Sequence, residues 1–88
     1  MKKIQVKVNG KVQGVWFRQS TKQVAQELGI VGYAHNLPDS SVDVVAIGEE
    51  ESIRQLIHFL EKGPELALVT GITISDYHGA GFTSFTTD

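Results

Sequence analysis

Ile30-Val31-Gly32-Tyr33-Ala34-His35-Asn36-Leu37-Pro38-Asp39-Ser40-Ser41-Val42-Asp43-Val44-Val45-Ala46-Ile47 reads as two strands and the turn between them. Ile30 to Asn36 mixes β-branched and aromatic residues, and Val42 to Ile47 is almost all Val and Ile, the types that suit a pleated, half-buried surface. Between them, Pro38 presets φ while Asp39 and the serines can bond back to the backbone, so 37–41 is a hairpin turn and the strands are antiparallel neighbours. Upstream, Phe17, Thr21, Val24, Ala25 and Leu28 share one face of a helix that stops at Gly29. Downstream, Glu49, Glu50 and Glu51 favour the positive end of a second helix, whose apolar stripe is Ile53, Leu56, Ile57 and Leu60 and whose end is Gly63-Pro64. Further out, Ile4, Val6 and Val8 alternate with Gln5 and Lys7, a strand running to about Asn9. Leu66 to Ser75 is a fourth strand, Tyr77 to Gly81 a turn, and Phe82 to Thr86 a short last strand.

The order β-α-β-β-α-β puts the hairpin between two units in which a helix links parallel strands. With right-handed crossovers this is a ferredoxin-like α+β sandwich, a mainly antiparallel sheet with two helices on one face. The 88 residues, 41% hydrophobic and 20% charged, suit one domain over 1–88 with one core. No repeat or linker interrupts it. The chain has no cysteine, so neither disulfides nor thiolate metal sites support it. The N-terminus never reaches the apolar run of a leader or membrane span, and the expected location is cytoplasmic. A net charge of −2 argues against a generic nucleic-acid or acidic-membrane binder. Nothing demands a partner subunit, and a monomer is expected.

Any anion must therefore be held locally, and one loop is built for it. Gly10-Lys11-Val12-Gln13-Gly14-Val15-Trp16-Phe17-Arg18 leaves the first strand and enters the first helix. Glycines let successive N–H groups turn toward one spot, and the helix start adds unpaired N–H groups and partial positive charge. Arg18 lies about 100° off the core-facing stripe. A cation there opposes the helix dipole at a cost of ~0.3–1 kcal/mol, a conflict that a bound anion removes. Its planar fork can take two phosphate oxygens at once.

The loop resembles the signature of the acylphosphatase family, a Gly-Val-Gln-Gly-Val-type run closing in Phe-Arg. A second family element, a Gly-aromatic-x-x-Asn segment before a turn and a valine-rich strand, is matched by Gly32 to Asn36 and Val42 to Gly48. The resemblance covers nearly the whole chain. It implies hydrolysis of the carboxyl–phosphate anhydride of small acyl phosphates to carboxylate and inorganic phosphate, with no metal, cofactor or covalent intermediate. Arg18 would bind the phosphoryl group together with backbone N–H groups of Gln13, Gly14, Val15, Trp16 and Phe17. Asn36, by itself no more than a turn-initiating residue, would hold the attacking water, and the family's proposed base is the substrate phosphate. The chemistry is coherent: the leaving group is already good, so an enzyme must mainly stabilise spread charge and orient a water. Asn cannot take a proton at neutral pH and acts as an orienter.

Departures from the family pattern mark three places. Ser40 stands where glycine is usual in the turn, and a left-handed serine costs ~1–2 kcal/mol. His35 replaces a long basic residue and Trp16 is bulky, so both are expected to alter the mouth of the site. Trp16 could stack on an organic group or pack half-buried. The ending Thr86-Thr87-Asp88 lacks the usual basic or aromatic residues. His35, His58 and His78 lack metal-ligand spacing and read as surface groups. Glu49 to Glu51 reads as a solvated helix start. Ser20 and Thr21 have no base nearby in sequence. Two rival functions are a non-catalytic binding module and an RNA-recognition domain; the latter is disfavoured because Val42 to Ile47 offers no aromatic for stacking.

Overall fold

The computed structural model describes Met1 to Thr87, leaving Asp88 of the ending Thr86-Thr87-Asp88 outside the described residues. In chain order the elements are β1 (Lys2–Lys11), α1 (Phe17–Glu27), β2 (Val31–Asn36), β3 (Val42–Gly48), α2 (Glu50–Lys62), β4 (Leu68–Asp76) and β5 (Phe85–Thr87). The strands form one sheet ordered β4-β1-β3-β2-β5. All pairings are antiparallel except β2 with β5, which run parallel. The two β-α-β units interlock, each placing one strand at the centre of the sheet. The chain thus has the ferredoxin-like architecture expected from the order of its elements.

Alternation in β1 sends Ile4, Val6 and Val8 to the helix side, where they meet Val44 and Ala46 of β3. Onto this face α1 and α2 lay Phe17, Ala25, Ile53, Leu56 and Leu60. Each large side chain so buried contributes ~1.5–3 kcal/mol. α1 lies over β2 and β5, and α2 over β4, β1 and β3. This leaves the N-terminus of α1 beside the end of β2, which is where the site forms.

The opposite face of the sheet is not bare. Val45 and Ile47 point away from the helices yet are buried. β4 and β5 occupy opposite edges, so the chain between them must traverse the sheet. Residues 77–84 do so across this face: the Tyr77 N–H donates to the Lys3 carbonyl, and Phe82 meets Tyr33 edge-on at 5.7 Å. The expected turn at Tyr77 to Gly81 is therefore part of a strap, and the last strand begins at Phe85 rather than Phe82 because the crossing uses the residues between. Under the strap Tyr33 donates to Asp43 Oδ2 (3.1 Å), and burial, with that acidic partner, pushes the phenol up to about 12.

Ser40 is left-handed, with φ 76°. Its neighbours close the turn tightly, Leu37 N–H to the Ser41 carbonyl and Ser40 N–H to the Leu37 carbonyl. Glycine adopts this backbone without a Cβ penalty, so Ser40→Gly is expected to stabilise by about 1 kcal/mol. In a domain this size that raises the melting temperature by ~4–8 °C. An unchanged melting curve would show the serine bears no strain.

Candidate active site

The loop between β1 and α1 is pinned from below. Val12, Val15 and Phe17 are buried, whereas Gly14 and Trp16 between them are exposed. Gly14 (φ 74°) and Trp16 (φ 65°, ψ 19°) are both left-handed, on either side of Val15. Such alternating handedness turns successive peptide N–H groups toward one side, the geometry of an anion nest. At Gly14 the positive φ calls for glycine; at Trp16 it is held by the buried neighbours on both sides. Ser20 N–H donates to the Trp16 carbonyl (2.9 Å), closing the first helical bond. Trp16 is thus the N-cap, and its side chain makes no capping bond. The first-turn N–H groups have no intrahelical acceptor. α2 carries Glu50 and Glu51 in its first turn; α1 has no acidic residue there. The positive end of α1 is left uncompensated by its own side chains.

A cavity of about 390 Å³ opens here, lined by Val12, Gly14, Trp16, Phe17, Arg18, Gln19, Asn36 and Thr87. Arg18 and Asn36, 18 positions apart in sequence, therefore share one space. Gln13 and Val15 do not line it. Val15 anchors the loop in the core, and the Gln13 amide is engaged elsewhere: Nε2 donates to the carbonyls of Leu37 and Ser41, both at 2.9 Å. The loop before α1 is thereby tied to the turn that follows Asn36. From the other side Lys7 Nζ holds Asp39 Oδ2 at 2.6 Å, and Asp39 accepts the Ser41 N–H and hydroxyl. Lys7 first, and Ser41 second, hold the Asp39 carboxyl well below the usual carboxylate range.

Asn36 ends β2 opposite Val42. Its Oδ1 is buried and has no hydrogen-bond partner among the described residues. A buried acceptor left so costs ~1–3 kcal/mol, and such groups in native folds call for an explanation, often an active-site one.

Several expectations change. Trp16 is 73% exposed, so the half-buried packing role fails; it stands at the cavity instead. His35 is not at the mouth: strand alternation sends it to the strap side, stacked on Tyr33 at 4.0 Å. Thr21 is buried and its hydroxyl donates to the Phe17 carbonyl (2.8 Å), an ordinary helix back-bond. Among the described residues no group of three or more His, Asp and Glu is placed to hold a metal ion, and no helix is long and apolar enough to cross a membrane. Two features were missed. Thr87 joins the lining because β5 runs one residue beyond the expected end. The Gln13 tie had only a faint signal, an amide between Val12 and Gly14 in a loop otherwise apolar.

Known proteins resemble the chain over nearly its whole length. A family model described as acylphosphatase matches residues 4–87. An acylphosphatase from Hahella chejuensis is 53% identical over 72 residues, 82% of this chain and 77% of the relative. One from Methylococcus capsulatus is 45% identical over 86 residues, 97% of this chain and 94% of the relative. The structure of an acylphosphatase from Coxiella burnetii superposes with a TM-score of 0.93 at 37% identity, covering 99% of this chain and 92% of that one.

Proposed function

Since the chain belongs to the acylphosphatase family, hydrolases that act on acid anhydrides, we propose that it splits small acyl phosphates into carboxylate and phosphate by direct attack of a water, without a metal ion. Arg18 grips the phosphoryl oxygens together with backbone N–H groups of the loop, of which Gly14, Trp16 and Phe17 line the cavity. Asn36 orients the attacking water, and the substrate phosphate takes its proton. The observation that carries this reading is the shared cavity of Arg18 and Asn36 at the start of α1, whose first turn carries no acidic residue. A fork of donors and a row of N–H groups supply positive potential where charge spreads over the phosphoryl oxygens. The orphaned Oδ1 of Asn36 fits a residue whose partner is a water. Holding that water at the reaction distance can be worth up to ~7–11 kcal/mol.

The same reading takes residues 1–88 as one domain working as a cytoplasmic monomer on a small molecule, with neither nucleic acid nor membrane as partner. One hydrophobic cluster spanning both helices and the sheet supports the single domain. The test is benzoyl phosphate with purified protein and excess chelator. Catalysed release of phosphate is expected; a rate equal to buffer would sink the proposal, and activity restored only by added metal would sink its metal-free form.

A further inference from the structure

Trp16 is a costly residue where it stands. It holds a left-handed backbone that glycine would adopt freely, and it caps α1 without a side-chain capping bond. At 73% exposure it gains little from burial. Strain at a bulky residue, where surroundings hold it, is typical of ligand sites. Stability, capping and packing all fail to account for it, and what remains is its position in the lining. Of the apolar side chains there, Val12 and Phe17 are sunk in the core, leaving the indole as the large apolar surface open to a ligand.

A volume of about 390 Å³ lies in the range of small-molecule pockets, and it leaves room for an organic group beside a phosphoryl group. We infer that the Trp16 indole is the platform for the acyl group, so that this site favours acyl phosphates whose acyl part is planar and aromatic over short aliphatic ones. The inference rests on the proposed hydrolysis and adds the substrate class. Stacking between an aromatic acyl group and the indole gains energy that an acetyl group cannot. The Trp16 side chain then acts on specificity, while its backbone N–H, which glycine would keep, stays in the phosphate nest.

Trp16→Gly tests this without endangering the fold, because glycine suits the backbone at this position. The quantity read is the ratio of kcat/KM for benzoyl phosphate to that for acetyl phosphate, in which any general effect of a looser loop cancels. The ratio is expected to fall about tenfold; a ratio that stays within about twofold overturns the inference. A direct reading is also available, since Trp16 is the one tryptophan of the chain. Its fluorescence should change with benzoylphosphonate, a non-hydrolysable analogue, well beyond any change with inorganic phosphate. Identical responses to the two overturn the inference. If the unaltered protein hydrolyses neither substrate, it is the proposed function that falls, and the fluorescence still decides whether the indole meets an aromatic group.

Discussion

Arg18→Lys is expected to lower kcat/KM for benzoyl phosphate by about 10²–10³ and to weaken competitive inhibition by inorganic phosphate. The charge survives this change, so a large loss would come from geometry. Guanidinium offers two parallel donors in a plane; ammonium is a point charge on a flexible stem. At the start of α1 the loop N–H groups already provide diffuse positive potential. What they lack is a fork that follows the phosphoryl oxygens as the bond to the leaving carboxylate lengthens. Steady-state kinetics with phosphate as inhibitor checks this. Kinetics within threefold of the unaltered protein would remove Arg18 from the phosphate clamp.

Asn36→Ala is expected to lower kcat by about 10², with the inhibition constant for phosphate little changed. The two variants separate the proposed roles, one acting on anion binding and rate, the other on rate alone. Stability should change little, because the Asn36 Oδ1 makes no hydrogen bond to the described residues and its loss leaves only a small void. A melting temperature close to that of the unaltered protein, with turnover lost, fits a side chain kept for the reaction. Loss of phosphate affinity alongside turnover would show that Asn36 binds the anion and is no mere orienter of water.

Much of the fold was legible because it rests on local periodicity. The β1 alternation, the two helix stripes and the 37–41 turn each depend on neighbours in sequence. Gly10 shows where local reading stops. It looks like the start of a loop, yet β1 continues through it to Lys11. There φ is 124°, the pairing with β4 shifts register between Asn9 and Gly10, and a Cβ would lie 2.1 Å from the Leu68 carbonyl oxygen. That glycine permits a close approach to a strand nearly sixty positions away, which no window around it reveals. The strap over Val45 likewise follows from β4 and β5 lying at opposite edges, a property of the whole sheet.

At the site, Arg18 was legible as a cation opposing its helix dipole, and Asn36 only through resemblance, since an Asn before Leu37-Pro38 is equally a turn residue. His35 could have been placed correctly: in a strand it must face away from Asn36. Trp16 could not. Its handedness is imposed by Val15 and Phe17, both fixed in a core assembled from every element of the chain.

The paired bonds from Gln13 to Leu37 and Ser41 span 24 and 28 positions of sequence, and this sets when activity can emerge in time. Long-range contacts of this kind close late, after the loop entropy between them has been spent. A refolding chain can acquire both helices and still hold the 12–16 loop and Asn36 at no defined separation. Recovery of catalysis during refolding should accordingly trail the helical signal, making turnover a clock for the docking of the hairpin and not for collapse.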